Sequence, residues 1–256
     1  MKYLDDLFSL KGRHALVTGG SSGLGAEMAW ALANAGAEVT LVARRADQLN
    51  EMCNRIARSG GVAHAMSADL AAPDAIATLA AQLKAENRKI GIVVNAAGIN
   101  LRNSANDVTR AEWEASITLN LTVPFFLAQA FAPDMATRGW GRIINVGSLQ
   151  SVRAFANSVP YGAAKGGIVQ LTRAMAEAWS PAGITCNAIA PGLFPTELTQ
   201  AVYADSDAEA AMAGRTCVGR NGQLTDIHGL AVYLASDASA FMTGQILFLD
   251  GGFTAR

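Results

Sequence analysis

Charge is scarce in this sequence. Only 16% of its residues are Asp, Glu, Lys or Arg, and the 20 basic and 21 acidic side chains leave a net charge of −1. No run of like charge occurs, so the basic stripe that nucleic-acid binders present is missing and no nucleic-acid partner is expected. Cysteine is scarcer still. The three, Cys53, Cys186 and Cys217, are odd in number and far apart, which excludes a disulfide framework and suits free thiols in a reducing cytoplasm. No CxxC, HExxH or histidine-rich tract joins them to His14, His64 and His228, so no metal site is expected. The N-terminus carries Asp5 and Asp6 where a secretory signal needs an apolar run. One long uncharged stretch exists, Ala115 to Pro133, but its 19 residues include Ser116, Thr118, Asn120, Thr122, Pro124 and Gln129. Those polar groups would be costly in lipid, so the stretch reads as a buried helix of a soluble protein with no membrane partner.

What is present is enough for a large core. The chain has 256 residues, 51% of them hydrophobic, although 50 of these are alanine, which adds little apolar bulk but lets helices approach a sheet closely. Seven apolar runs of strand length stand out: His14–Thr18, Glu38–Ala43, Val62–Ser67, Gly91–Asn95, Arg142–Gly147, Gly183–Ile189 and Gln245–Leu249. Most are apolar at consecutive positions, the pattern of strands covered on both faces. Helix patterns fill the intervals at 23–35, 46–59, 74–87, 110–137, 158–179 and 226–236. Thr109 and Glu112 form a capping box, and Thr225-Asp226 is a plainer start signal. Strand–helix alternation of this kind implies a three-layer α/β fold with a doubly wound parallel sheet of about seven strands. No linker breaks it, so residues 1–256 read as one domain. The least regular stretch, residues 193–223, is expected to be a lid over a site at the strand ends.

The first strand runs into Thr18-Gly19-Gly20-Ser21-Ser22-Gly23-Leu24-Gly25 and then a helix. Glycines at 19, 23 and 25 let the backbone approach a pyrophosphate, and the helix N-terminus offers it free N–H groups. The spacing is Thr-Gly-x-x-x-Gly-x-Gly rather than GxGxxG. With Asn95-Ala96-Ala97-Gly98, Asn120, Ser148, Tyr161-Gly162-Ala163-Ala164-Lys165, Pro191-Gly192 and Asp250-Gly251-Gly252 following in order, the chain resembles the short-chain dehydrogenase/reductase family from end to end. That resemblance implies a Rossmann-type fold and hydride transfer between a nicotinamide dinucleotide and an alcohol or ketone.

Elementary chemistry fits the same residues. Tyr161 and Lys165 lie four apart on a helix and so share a face. Lowering a tyrosine from its usual value near 10 to about 7 takes roughly 4 kcal/mol. A lysine charge about 5 Å away supplies roughly 3 kcal/mol at an effective dielectric near 20. Tyr161 is therefore expected to act as general acid–base, with Lys165 supplying most of the shift and Ser148 hydrogen-bonding the same substrate oxygen. The resemblance adds that Lys165 binds the nicotinamide ribose and that Asn120 anchors a water-mediated proton relay. A serine hydrolase is disfavoured, because Gly147-Ser148 lacks the GxSxG elbow.

The resemblance further implies a cofactor site. It would draw on Gly19, Ser21, Ser22, Gly23, Leu24 and Gly25, then Arg44 and Arg45 after the second strand. Asp69 and Leu70 would follow, with Asp69 facing adenine, then Asn95, Ala96 and Gly98, then Tyr161 and Lys165, and finally Pro191, Gly192 and Thr196. No acidic residue ends the second strand to bind a ribose 2′-hydroxyl, and Arg44 stands where a 2′-phosphate would want a cation. NADP(H) is favoured and NAD(H) is the other candidate, because Ser22 stands where many NADP-preferring relatives have a basic residue. Ala96 departs from the family's second asparagine. For the small-molecule substrate, Arg102, Ser148, Gln150, Arg153 and Tyr161 are the candidates. The segment Leu7–Arg13 together with Arg102 resembles the sugar-acid members of the family, of the gluconate 5-dehydrogenase and 2-deoxy-gluconate 3-dehydrogenase kind. The alternatives are a 3-oxoacyl thioester reductase and, in another class, a catalytically silent nucleotide-binding scaffold. The resemblance also implies a homotetramer or homodimer.

Overall fold

A computed structural model of the chain describes residues 2–256. Seven strands form one sheet: β1 (His14–Thr18), β2 (Glu38–Ala43), β3 (Val62–Ser67), β4 (Ile90–Asn95), β5 (Gly141–Val146), β6 (Ile184–Pro191) and β7 (Ile246–Leu249). Their order is β3-β2-β1-β4-β5-β6-β7, and every pairing is parallel. The helices are α1 (Lys2–Phe8), α2 (Gly23–Asn34), α3 (Ala46–Arg58), α4 (Ala75–Ala85), α5 (Arg110–Ile117), α6 (Val123–Thr137), α7 (Val159–Trp179), α8 (Gln200–Tyr203), α9 (Ser206–Gly214) and α10 (Ile227–Ala235). The expected doubly wound Rossmann-type sheet is present.

Alternate strand residues point to opposite faces. In β1, Ala15 and Val17 join one apolar cluster, with side chains of α2, α3 and α10, while Leu16 joins the other, with α4, α6 and α7. Both faces are covered over β1, β4 and β6, whose residues are all buried, while the edge strand β3 has no buried residue and carries His64 and Ser67. On α2, Ala26, Ala29 and Ala33 are buried against this first cluster, where a small side chain lets the helix lie close.

Some elements differ from the sequence reading. The stretch 110–137 is one continuous helix as expected, but it is not α-helical throughout. A single π-turn at Thr118–Thr122 separates α5 from α6, and α6 packs on β4 and β5. The lid region is more regular than its composition suggested. Asp205 caps α9 by accepting from Asp207 N and Ala208 N at 3.0 and 3.1 Å. Asp226 stands at the N-cap of α10 as expected but makes no side-chain bond to that helix; it accepts from Gln223 N at 2.8 Å, closing the short turn before α10, and pairs with Arg220.

The order of strands reverses between β1 and β4, and the crevice at such a switch point is where nucleotides sit in this architecture. Thr18 holds the two sides together. Its hydroxyl donates to Val94 O and accepts from Ala96 N and Ala97 N, both at 3.1 Å.

Candidate active site

A cavity of about 720 Å³ opens over the C-terminal ends of the strands, a size typical of small-ligand sites. Its wall near β1 is the glycine loop. Gly19 (φ +64°) and Gly23 (φ +56°) hold left-handed backbone. A Cβ on Gly19 would stand 2.9 Å from Ala96 O, and one on Gly23 would stand 3.2 Å from Thr196 Cγ2. A Cβ on Gly25 would collide with Gly19 O. Ser22 begins α2 without a side-chain cap, so the first N–H groups of that helix are left for another acceptor. The loop is a cradle that side chains would fill, and it fits a pyrophosphate.

The candidate catalytic residues Ser148, Tyr161 and Lys165 all line the same cavity. Ser148 follows β5, and its hydroxyl accepts from Gln150 N at 3.1 Å. Ser151 ties that turn to α7: its hydroxyl accepts from Ser148 N and donates to Lys165 O at 2.8 Å. Lys165 is buried, with Nζ donating to Val146 O at 2.7 Å and lying 5.5 Å from the centre of the Tyr161 ring. Burial pulls its ammonium down to about 8. The Tyr161 hydroxyl departs from the arithmetic based on Lys165. Burial pushes it above the usual tyrosine value, against the downward pull of a Ser148 hydrogen bond and the Arg102 charge. A low dielectric disfavours the phenolate as well as the ammonium.

Asn120 sits in the π-turn rather than on a regular helix. Its amide donates to Ile99 O and Ser116 O, both at 2.9 Å, which leaves Oδ1 buried with no protein partner. A Cβ on Gly98 would fall 2.6 Å from that oxygen and 3.8 Å from Lys165 Nζ, so glycine keeps open the space that all three border. An orphaned buried acceptor is costly unless something binds it.

The remaining candidates divide. Arg44, Arg45, Asp69 and Leu70 line the cavity on one side, with Ala96, Pro191, Gly192 and Thr196 elsewhere on its wall. Ser21, Leu24, Arg102 and Gln150 line it too. Asn95 does not: its amide donates to Pro124 O and to Asn145 Oδ1 at 2.9 Å, joining β4 to β5 below the site. Arg153 also lies elsewhere, donating to the Arg256 carbonyl at 2.7 Å. Several wall residues escaped the sequence reading, among them Phe155, Phe194, Glu197, Val202 and Met212. The last two come from α8 and α9, and only the Asp205 cap and the alanine-rich run after it marked that region as helical.

A cavity of this size at the switch point suits a dinucleotide, and the tyrosine, serine and lysine bordering it suit proton exchange with a substrate oxygen. Together they define a class, a nucleotide-dependent oxidoreductase acting on an alcohol or carbonyl. A family model described as enoyl-(acyl carrier protein) reductase matches residues 19–254. The gluconate 5-dehydrogenase of Gluconobacter oxydans is 39% identical over 97% of both chains. The 2-dehydro-3-deoxy-D-gluconate 5-dehydrogenase of Bacillus subtilis is 40% identical over the full length of both. Among solved structures, a gluconate 5-dehydrogenase from Burkholderia cenocepacia in complex with NADP and tartrate superposes with a TM-score of 0.94 at 38% identity, covering 99% of each chain. The chain belongs to the short-chain dehydrogenase/reductase family and is an NAD(P)-dependent oxidoreductase of CH–OH groups.

Proposed function

We propose that this chain interconverts a secondary alcohol of a sugar acid and the corresponding ketone, with NADP(H) as its redox partner. The observation that carries the substrate class is Arg102. It lines the same cavity as Tyr161, and its charge reaches the Tyr161 hydroxyl. A carboxylate held by Arg102 would bring a hydroxyl of the same small molecule to Tyr161. The gluconate-class activities of the relatives support the reading, and the lack of any charge block suited to an acidic carrier weighs against a 3-oxoacyl thioester.

The glycine loop and the start of α2 would hold the pyrophosphate, Arg44 and Arg45 the 2′-phosphate, Asp69 and Leu70 the adenine side, and Lys165 the nicotinamide ribose. When bound, the cofactor supplies or accepts the hydride. Tyr161, kept neutral by burial, donates its phenolic proton to the substrate oxygen during ketone reduction. Ser148 donates a hydrogen bond to that oxygen, and the Lys165 charge steadies the phenolate left behind. Asn120 Oδ1, buried with no partner among the described residues, would order the water that returns the proton. The segment 193–223, with Val202 of α8 and Met212 of α9 on the cavity wall, serves as the lid. Exposed Trp113, Phe126 and Phe248 favour assembly into a homotetramer or homodimer, which sedimentation of dilute protein tests.

For the substrate, Arg102→Gln is compared with the parent enzyme on gluconate-class acids and on uncharged polyols. KM for the acids should rise by about tenfold or more, equivalent to roughly 1.4 kcal/mol or more, with the polyols unmoved. Equal effects on both sets, or parent turnover of acetoacetyl thioesters and of no sugar acid, would reject the proposal.

A further inference from the structure

Arg45 is engaged, and its partner is unusual for this place in the fold. Its Nη2 donates to Ser22 Oγ at 3.1 Å and meets both carboxylate oxygens of Glu197, at 2.9 and 3.0 Å. Three distant parts of the chain converge there: the end of β2, the glycine loop, and the turn after β6. All three residues line the cavity. The end of β2 is where this architecture reads the substituent at the ribose 2′ position. Ser22 lacks the positive charge for a 2′-phosphate, and Arg45 brings a guanidinium to it. Glu197, however, sets an anion on that same guanidinium.

We infer that Glu197 tunes cofactor choice by competing with the 2′-phosphate for Arg45. The inference rests on the nucleotide reading above. Glu197 and Ser22 both sit on Nη2 of Arg45, so a 2′-phosphate that reaches for that edge of the guanidinium meets a carboxylate already there. A 2′-phosphate must therefore displace the Glu197 carboxylate or lie beside it against like-charge repulsion. A 2′-hydroxyl does neither, and the Arg45–Glu197 pair can persist over it. Exchange is feasible because the pair is open to solvent, with Arg45 46% and Glu197 58% exposed at their side chains, and exposed ion pairs are weak. The move is also local. Glu197 opens a short 3-10 turn whose neighbour Thr196 packs beside Gly23 and whose hydroxyls at 196 and 199 bond each other. The carboxylate can swing out without unwinding the turn.

A purely mechanical latch makes a different forecast. If the pair only held the 196–199 turn against the glycine loop, removing it would alter the affinity for both nucleotides alike. Competition for Arg45 concerns only the phosphorylated one.

The test is a fluorescence titration of the full-length protein with NADPH and with NADH. Glu197→Gln keeps the shape and removes the charge. It should lower the Kd for NADPH by about tenfold and leave that for NADH within about twofold. Arg45→Gln should weaken NADPH selectively, and adding Glu197→Gln to it should change the ratio much less than in the parent, as a coupled pair requires. Equal shifts for both nucleotides in Glu197→Gln, an unmoved NADPH Kd, or a full Glu197→Gln effect in the Arg45→Gln background would each overturn the inference. Should the parent protein bind neither nucleotide, the nucleotide reading falls and this inference with it. Tight NADPH binding by the parent with an unmoved ratio in Glu197→Gln would overturn the role of Glu197 alone.

Discussion

The two ends of the same parallel sheet treat their polar side chains in opposite ways. At the N-terminal end they pair with one another. His14 Nε2 meets Thr40 Oγ1 at 2.8 Å, and Glu38 accepts from His64 and Arg88. Arg142, only 3% exposed, donates to Ser236 O, Gly141 O and Asp237, and its guanidinium lies 4.5 Å from the Trp140 ring with Arg13 over the same indole. At the C-terminal end some polar groups pair, as Arg45 does with Glu197 and Asn95 with Asn145, while those around Gly98 are left open. Among the described residues Asn120 Oδ1 has no partner and the buried Lys165 Nζ meets only the Val146 carbonyl, and Gly98 keeps a side chain out of the space between them. Closed networks add stability, whereas unpaired buried groups cost it and persist where binding or chemistry repays the loss. The difference lies in what the elements leave open rather than in residue type.

Substitution at each end should therefore separate activity from stability. The largest effect is expected from Tyr161→Phe, which removes one hydroxyl at the open end. Turnover should fall by about a thousandfold, in the range for loss of a general acid, while NADPH affinity and the unfolding midpoint stay put. Retained turnover would remove Tyr161 from the chemistry. At the closed end, Asp237→Ala leaves the buried Arg142 charge without its carboxylate. Urea titration should show a loss of about 2 kcal/mol, with kcat and KM unchanged; an altered kcat would mean that the two ends are coupled. The smallest effect concerns pH. Burial pulls His14 down to about 4, outweighing the Glu38 charge that raises it, with Arg88 and His64 adding to the fall. The unfolded chain then binds more protons than the folded one between about 6.5 and 4, so stability is full above 6.5 and drains as pH falls through 4. His14→Gln should flatten the midpoint across that window and leave turnover at neutral pH alone. An unchanged slope would assign acid sensitivity to other groups.

Much of this was legible in the sequence, and the unread parts share a physical cause. The inner strand runs declare themselves because strands covered on both faces are mostly apolar, and His14–Thr18 and Glu38–Ala43 keep the expected boundaries, as does the edge strand Val62–Ser67, although none of its residues is buried. The glycine loop and the Tyr161–Lys165 spacing are local and equally plain. The Arg45–Glu197 contact joins residues 152 apart, and no local pattern marks it. Arg153 follows Ser148 closely enough in sequence to suggest substrate contact, yet the chain turns it toward Arg256. The upward pull of burial on Tyr161 is illegible for a related reason. Spacing supplies the neighbouring charge of Lys165 but says nothing of how deeply both groups are buried.

The π-turn at Thr118–Thr122 inserts a single i→i+5 step, Val123 N to Thr118 O, between two α-helical segments. Each residue of an α-helix advances by about 100°, so one surplus residue sets the rotational phase of α6 independently of α5. α5 can wind to suit the amide of Asn120, reaching back to Ser116 and across to Ile99, while α6 winds to seat Leu127, Phe131 and Met135 on the sheet. No point substitution recreates such an offset; only a change of chain length does. The geometry of Asn120 is therefore acquired or lost in one discrete step of insertion or deletion, and a helix one residue shorter here would have to surrender either the asparagine or the seating of α6.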